Sequence, residues 1–418
     1  MRYTTRIIVP PRIRRSGQPG SGGAYKPQAL GVRKTVGFDN PFCLATPAHL
    51  AAAGRHTDFA PVFAQSEAVE SSRAPSQAVE IMQAATRAVS ESRYRQPWGA
   101  DANLLRQPAD VEAAANAGYT YYTVDPSAFL RQGVETMSPD GLSAELQTLV
   151  TEGDLPEDWS APYLNRTVEL PGDVRLTLDE AHLQRAAVKY ARAVRHCARM
   201  SEAIARANSG RSYELEVYLG GTHTPTTTLE HLFVGLELEA RGVRLTGFAP
   251  AMPGTDDGLE PEGSFVRWLR EHAAAAQFCG PYKLSFHGAT ARENVLPLLG
   301  RCCGEGLHVK SDGLSYLEAL KVVQRVEPAL FEQVLAASQT FVQPATSAQF
   351  PQRPEEWNFD PRMEPWLLGG RGAVFARDSA VESSLRTSIM ECLQGNTDFY
   401  RELVEARFDN VLSLLKAG

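Results

Sequence analysis

Two histidines lie in short apolar runs that follow one another in the sequence. His287 closes the run "YKLSFH", and His308 lies in the run "GLHVKS". Runs of this length and composition are typical of buried parallel strands. We expect the two strands to be neighbours, with both histidines at their ends and facing one cavity. Imidazole binds transition metals and carries protons near neutral pH, so a metal site is one interpretation. A histidine packed in the core is the other.

Polar side chains also stand where the remaining apolar runs are expected to end. In a barrel of parallel strands the carboxyl ends carry the catalytic and binding groups, so these residues are candidates for chemistry. They are Asp39, Asn40, Gln65, Ser66, Asp101, Asn103, Asp125, His223, Lys310 and Ser311.

The segment after the last run has the composition of an anion-binding loop. Residues 311–314 lead into a helix, and Ser315 with Glu318 has the spacing of a capping box at its start. Backbone N–H groups at a helix start bind phosphate or carboxylate, and barrels commonly bind phosphate at this place. Ser311 and Ser315 are therefore predicted to contact a substrate anion. Lys310 could supply positive charge to it, or could pair with Asp312 in solvent.

Eight apolar runs, each followed by a helical pattern, must position these residues. Strand–helix alternation repeated eight times predicts a (β/α)8 TIM-type barrel. A doubly wound sheet would also alternate, but no glycine-rich turn follows the first run, so no nucleotide cofactor is expected. The runs are Thr35–Phe38, Ala60–Gln65, Trp98–Asp101, Tyr119–Asp125, Tyr213–Leu219, Val243–Pro250, Tyr282–His287 and Gly306–Ser311.

The spacing of the runs divides the chain. The barrel is expected over residues 35–330, with a mainly helical insertion at 126–210 between strands four and five and a helical C-terminal extension at 331–418. A long helix in the insertion is predicted to begin at the box formed by Thr177 and Glu180. The insertion could cap the barrel mouth or make an oligomer contact, which leaves a homo-oligomer open. Residues 1–34 hold eight basic residues and no acidic one, which predicts a flexible arm.

Composition excludes several classes of protein for these 418 residues. The net charge of −7 disfavours a nucleic-acid partner, and no apolar stretch approaches the length of a membrane span. The six cysteines form no CxxC pair, which is typical of reduced thiols and predicts a cytoplasmic protein.

Long segments resemble the tagaturonate epimerase family. The likeness is carried by "GTHTPTTTLEHLFVGLELEARGVRL", "FAPA", "GPYKLSFH" and "LHVKSDGLSYLEAL", and upstream by "CLATPAHL", "PVFAQS", "WGAD" and "AGYTYYTVDPS". It covers residues 35–330 in one order, with a weaker echo at 384–393. The resemblance implies a (β/α)8 barrel that uses a divalent metal cation to interconvert tagaturonate and fructuronate in hexuronate breakdown. It also implies His287 and His308 as metal ligands.

The family pattern is not matched at several chemical positions. Asn103 stands where the resemblance implies a proton-accepting Asp, and Leu104 where it implies a further metal-ligating His. Gly220 and Gly221 replace an Asp-Glu pair that would supply the acid, and Met390 replaces a histidine. An amide cannot act as a base, and glycine cannot donate a proton. Asp101, Asn103 and His223 are the residues left to carry catalysis, with His223 a candidate replacement ligand or acid.

The implied reaction inverts a carbon β to the ketone, which removal of an α-proton cannot reach. The route we expect is retro-aldol cleavage, with a divalent metal holding the ketone and stabilising the enolate, and then re-addition to the opposite face. One group must accept the hydroxyl proton and one must return it. The sequence leaves three functions open. They are a rewired epimerase or aldolase-type enzyme acting on a keto-sugar acid, an inactive sugar-acid-binding relative, and a structural partner protein.

Overall fold

A closed barrel of parallel strands forms the centre of the computed structural model. The structure describes residues 25–65, 75–254, 263–311, 313–341, 364–375 and 380–418, so that the predicted site residue Ser66 and the loop residue Asp312 lie outside the described residues. The strands are β1 (Thr35–Asp39), β2 (Ala60–Gln65), β3 (Gly99–Leu105), β4 (Tyr121–Val124), β5 (Arg166–Leu170), β6 (Val174–Leu178), β7 (Glu214–Tyr218), β8 (Gly247–Ala249), β9 (Lys283–His287) and β10 (Leu307–Lys310).

The order of strands around the barrel is β1-β10-β9-β8-β7-β4-β3-β2, and β5 and β6 form a separate antiparallel hairpin. Each of the eight apolar runs contributes one barrel strand, so the predicted (β/α)8 fold is confirmed. Because successive side chains of a strand point to opposite faces, every second residue of each strand points into the barrel.

Helices surround the barrel. They are α1 (Thr46–Arg55), α2 (Pro75–Glu91), α3 (Pro108–Ala117), α4 (Pro139–Thr151), α5 (Glu180–Ala207), α6 (Thr228–Ala240), α7 (Ser264–Cys279), α8 (Leu296–Cys303), α9 (Leu314–Val326), α10 (Pro328–Phe341), α11 (Glu364–Gly369), α12 (Gly372–Phe375), α13 (Ala380–Gly395) and α14 (Thr397–Lys416). The last of these packs against α1, α8 and α9, so the C-terminal helices are joined to the barrel. Within the described residues no helix has the length and apolarity to cross a membrane.

The long helix α5 belongs to the ring of barrel helices, since it packs between α3 and α6. The added segment between β4 and this helix is therefore shorter than the expected 126–210, and consists of short turns, α4 and the β5–β6 hairpin. The predicted start of the helix is wrong. Thr177 lies in β6, and Asp179 caps the helix by accepting a hydrogen bond from the N–H of His182 at 3.1 Å.

The described part of the predicted N-terminal arm is packed against the amino ends of the strands. The backbone N–H groups of Leu30 and Gly31 donate to the Glu214 carboxylate at 2.7 and 3.1 Å, and the Leu30 side chain is buried. Gln28 donates its backbone N–H to the carbonyl of Trp98. Residues 25–34 thus close the bottom of the barrel rather than extending from it.

Two predicted capping boxes have different outcomes. The box of Thr227 and Glu230 at the start of α6 is confirmed in both its hydrogen bonds. The box of Ser315 and Glu318 is wrong, because the N-cap of α9 is Gly313, two residues earlier, and Ser315 lies inside the first turn. The Ser315 hydroxyl instead donates to the carbonyl of Asp39 at 2.6 Å, which ties the helix to β1.

Two buried histidines form a hydrogen-bonded chain between helices α6 and α7 on the outside of the barrel. His231 on α6 lies 2.8 Å from His272 on α7 through their Nδ1 atoms, and 2.8 Å from the hydroxyl of Tyr282 through Nε2. The Nε2 atom of His272 lies 3.1 Å from the Thr226 carbonyl, to which it must donate. Its Nδ1 is then an acceptor, so His231 donates from Nδ1 and accepts at Nε2 from Tyr282. This direction of the chain holds because burial lowers the pKa of both imidazoles and leaves them neutral.

Acidification should destabilise the protein through four buried histidines. Burial lowers the pKa of His49 and of His272 to about 3, and lowers those of His231 and His308 well below the ordinary value. The unfolded chain, whose histidines titrate near 6.5, then binds more protons than the folded chain. Stability is full above about pH 6.5 and falls as the pH drops toward 3. Each histidine removes up to about 1.4 kcal/mol per pH unit.

The measurement is the free energy of guanidinium unfolding at several pH values between 7.5 and 4.5. His272→Gln, a neutral side chain, should reduce the slope by about one proton relative to the unaltered chain. A free energy that stays constant over this range would contradict the burial of neutral imidazoles.

Candidate active site in the barrel interior and mouth

The ammonium group of Lys310 is the centre of a polar cluster inside the barrel. Its Nζ lies 2.7 Å from Asp101 Oδ2 and 3.0 Å from Glu216 Oε1, and all three side chains have no exposed surface. It also donates to Asn103 Oδ1 at 3.1 Å and to Thr123 Oγ1 at 2.5 Å. The partners come from β3, β4 and β7, where alternation points them inward. One cation therefore binds oxygens from three other strands.

The two carboxylates of this cluster differ in their affinity for a proton. Burial raises the pKa of Asp101 above its ordinary value, with the neighbouring Glu216 charge adding to the effect against the Lys310 ammonium. For Glu216 burial has the same direction, but the Lys310 ammonium and the His287 hydrogen bond outweigh it and hold its pKa well below the ordinary value. Glu216 is thus the anion of the pair, and Asp101 takes up a proton more readily.

Tyr121 supports the cluster from below. Its hydroxyl donates to Glu216 Oε2 at 2.6 Å, and its ring centre lies 5.5 Å from Lys310 Nζ and 4.8 Å from Lys283 Nζ. Gly247 on β8 makes this arrangement possible, because a Cβ atom there would overlap the Tyr121 hydroxyl. A glycine in a barrel strand here provides space for a buried phenol.

The predicted placement of His308 at a strand end is wrong. His308 is the second residue of β10 and is paired with Thr35, one layer deeper than Lys310, which is paired with His287. Its Nδ1 lies 2.8 Å from the Thr35 hydroxyl, and its buried Nε2 has no hydrogen-bond partner among the residues that the structure describes. His287 does end β9 as predicted, so the two histidines occupy different levels of the barrel.

The residues at these levels do not fit a divalent metal ion held by His287 and His308. The Nε2 atom of His287 lies 2.8 Å from Glu216 Oε1. Burial, and after it the ammonium charges of Lys283 and Lys310, lower the pKa of His308, and the same charges would repel a divalent cation. Protein zinc sites use three or four ligands, yet in the described ranges no group of three His, Cys, Asp or Glu side chains is arranged to hold a metal. Leu104 offers no donor atom.

The helix start after β10 is occupied by a carboxylate of the protein itself. The N–H of Ser315 donates to both Asp39 oxygens at 3.2 and 3.0 Å, and the Ser311 hydroxyl donates to Asp39 Oδ1 at 2.7 Å. His49 contacts the Ser315 hydroxyl at 3.0 Å from behind. The predicted use of Ser311 and Ser315 to bind a substrate anion is therefore corrected, because Asp39 takes that place.

Other predicted substrate contacts also make hydrogen bonds within the protein. Asp125 accepts from Arg106 Nε at 2.8 Å and from the N–H of Ser127 at 3.0 Å. Gln65 is fully buried, and its side chain lies over Gly37, where a Cβ atom would overlap the amide oxygen. Lys310 is buried in its carboxylate cluster, so its ammonium group is not exposed to solvent, and Lys310 is not among the lining residues of the cavity described below.

A cavity of about 340 Å³ opens at the carboxyl ends of β7, β8 and β9. It brings together His223 and His287, two of the residues that the sequence singles out, whereas Asp101 and Asn103 are not among its lining residues. The lining residues that matter for chemistry are Tyr218, Thr222, His223, Thr224, His287 and Arg292. The interior cluster reaches this cavity through Glu216 and His287.

The pair formed by Glu216 and His287 is arranged for proton transfer. A buried carboxylate 2.8 Å from an imidazole fixes the orientation of the ring and stabilises its protonated form. The His287 ring reaches the cavity and packs against Tyr218, with 4.6 Å between ring centres. The imidazole can therefore accept a proton from a ligand in the cavity and return it.

Sequence analysis missed the partners that make this site. Glu214, Glu216 and Tyr218 alternate in "ELEVY", and inward-pointing acidic residues in a buried strand are a signal that could have been used. Arg292 lies in a loop after β9 and carries no comparable signal.

Comparisons with known proteins agree with this architecture. A family model described as tagaturonate epimerase matches residues 24–350. A tagaturonate/fructuronate epimerase of Thermotoga maritima is 30% identical over 313 residues, which are 74% of this chain and 63% of the relative. The chain thus spans less than two thirds of that relative's length.

Solved structures show the same fold. The native crystal structure of the fructuronate-tagaturonate epimerase of Cohnella laeviribosi superimposes with a TM-score of 0.79 at 24% identity, covering 94% of this chain and 83% of that one. A glycerol complex of the same protein gives a TM-score of 0.77 at 24% identity, with the same coverage of 94% and 83%.

Removing the Lys310 charge should destabilise the barrel. In Lys310→Met two buried carboxyl groups lose their counter-ion, which typically costs about 3–5 kcal/mol of unfolding free energy. Denaturant unfolding measures this, and adding Glu216→Gln to the variant should recover part of the loss. The matched control is Lys416→Met, whose ion pair with Asp58 is exposed and whose midpoint should not move. A Lys310→Met variant within about 1 kcal/mol of the unaltered chain would contradict the cluster.

Proposed function

Because the chain belongs to the tagaturonate epimerase family, we propose that it acts on a keto-sugar acid of hexuronate metabolism and interconverts two of its epimers. The observation that carries the proposal is the cavity at the barrel mouth, where the His287–Glu216 pair meets a guanidinium group and several hydroxyls. Proton-transfer groups and an anion-binding group in one cavity match a substrate that carries both hydroxyls and a carboxylate.

Arg292 is the group that we expect to bind the carboxylate. It is exposed at the cavity, and its hydrogen bond to the Pro253 carbonyl is long, at 3.4 Å. A guanidinium binds a carboxylate through two parallel hydrogen bonds, and a single long bond to a carbonyl is easily exchanged for them. Among the described lining residues Arg292 is the one with a permanent positive charge.

His287 is the group that we expect to move the proton of the substrate hydroxyl. We expect the carbon β to the ketone to be inverted by retro-aldol cleavage, which begins when a base removes the proton of the β-hydroxyl. Glu216 is fully buried and ionised, so it stabilises the imidazolium that forms. After the aldehyde fragment has turned, the same imidazolium returns its proton to the new alkoxide. We expect His223, which also lines the cavity, to contact the sugar hydroxyls.

The expected setting is a small-molecule enzyme of the cytoplasm. All six cysteines are free thiols in the structure, which is what a reducing compartment would maintain. We expect its partner to be a small molecule, and neither a nucleic acid nor a membrane.

Replacing Arg292 should weaken binding of the acid more than turnover. For Arg292→Gln we expect the dissociation constant of a six-carbon keto-sugar acid to rise about 10- to 100-fold, because a charge-assisted bidentate contact is lost. Affinity for the corresponding neutral ketose should stay unchanged. Isothermal titration measures both, with Arg301→Gln on the exposed face of α8 as the control.

The outcomes separate two failures. If the unaltered chain binds neither ligand, the proposed function is wrong. If it binds the acid and Arg292→Gln binds it equally well, the function stands and the assignment of Arg292 is wrong.

A further inference from the structure

The loop that carries His223 is held by a segment that follows β4. This loop, residues 219–227, joins β7 to α6 and brings Thr222, His223 and Thr224 to the cavity. The His223 side chain is exposed, so the place of its imidazole follows from the position of its backbone. Residues 126–136, which we call the supporting segment, make the contacts that fix this backbone.

The side-chain amide of Gln132 bonds to the loop backbone on both sides of Thr222. Its NH₂ group donates to the carbonyl of Gly221 at 2.9 Å, and its oxygen accepts from the N–H of His223 at 3.1 Å. An amide carries both donors and an acceptor, so one side chain can satisfy both backbone groups. The paired hydrogen bonds fix the distance and the orientation of the loop relative to the supporting segment.

Gly221 lets the supporting segment come this close. A Cβ atom on Gly221 would overlap the hydroxyl and the Cβ of Ser127, which is itself held by hydrogen bonds to Asp125. The loop therefore packs directly on the supporting segment at Gly221, beside the hydrogen bonds of Gln132.

Glu135 makes a further contact on the other side of His223. It accepts from the Thr224 hydroxyl at 2.7 Å, and the ammonium group of Lys189 on α5 lies 2.9 Å from Glu135 and 2.8 Å from the Thr224 hydroxyl oxygen. The Lys189 side chain is buried. The backbone of His223 is thus anchored both before and after it.

The supporting segment is itself fixed to the ring of barrel helices. The N–H of Arg131 donates to the Lys189 carbonyl on α5 at 3.1 Å. Gly133 has a φ of 74°, in the left-handed region that glycine adopts readily, and precedes the short turn Val134–Thr136. The side chain of Val134 in this turn is buried. Gln132 therefore extends from an anchored backbone.

We propose that Gln132 is a positioning residue that holds His223 against the substrate, an inference that rests on the proposed function. Gln132 is not one of the described residues that line the cavity, so it acts through the loop. Its two hydrogen bonds fix the backbone from which the His223 imidazole reaches the hydroxyls of the keto-sugar acid.

A double-mutant cycle in the full chain tests this role. Gln132→Met removes both hydrogen bonds, and should raise KM for a six-carbon keto-sugar acid about 5- to 20-fold while kcat stays within about threefold. His223→Ala should raise KM by a similar factor. Because Gln132 acts through His223, adding Gln132→Met to His223→Ala should raise KM no further.

A second variant and a control accompany the cycle. Gln132→Glu still accepts from the N–H of His223 but cannot donate to the Gly221 carbonyl, so it should also raise KM, and also add nothing to His223→Ala. The matched control is Gln147→Met on the exposed side of α4, which should leave KM and kcat unchanged. Denaturant unfolding checks that each variant retains the fold.

Each result decides the inference. A raised KM in the Gln132 variants that disappears in the His223→Ala background supports it. KM effects that multiply in the double variant overturn it, because Gln132 would then act independently of His223. An unchanged KM in either Gln132→Met or His223→Ala also overturns it, and all of these results leave the proposed function standing. An unaltered chain that epimerises no keto-sugar acid overturns the proposed function and this inference together.

Discussion

The ion cluster of Lys310 is the interaction on which the rest of the site depends. A barrel interior that buries two carboxyl groups needs a cation, because an unpaired buried charge costs several kcal/mol. Lys310 supplies it at 2.7 Å from Asp101 and 3.0 Å from Glu216. Glu216 is thereby kept ionised and can orient His287, and His287 in turn packs against Tyr218 at the mouth. These contacts form a continuous series from the interior of the barrel to the cavity at its mouth.

The fold could be predicted from sequence because its signals are local. Each barrel strand is a short apolar run, and a run such as Tyr282–His287 stays recognisable whatever its neighbours are. The start of α6 was equally readable, since Thr227 and Glu230 satisfy each other within one turn. The role of α5 was not readable, because its place in the ring depends on contacts with α3 and α6 that no local pattern encodes.

The site was predictable only in part because its contacts join distant strands. His223 and His287 were both singled out, and they meet at one cavity. The anion-binding loop was misjudged, since Asp39 reaches the start of α9 from 276 positions away. Spacing along the chain could not show that His308 lies one layer below Lys310, because the level of a residue in the barrel depends on the register between strands. The fold and the family thus do not determine what each interior residue does, and the role of each one follows from its own contacts.

The most direct test of the account is epimerisation of a keto-sugar acid by the full chain in D₂O, followed by NMR. Retro-aldol cleavage and re-addition leave the C–H bond of the inverted carbon intact. The account predicts that the second epimer appears and keeps its hydrogen at that carbon. Deuterium at the inverted carbon, or no epimer at all, would contradict it.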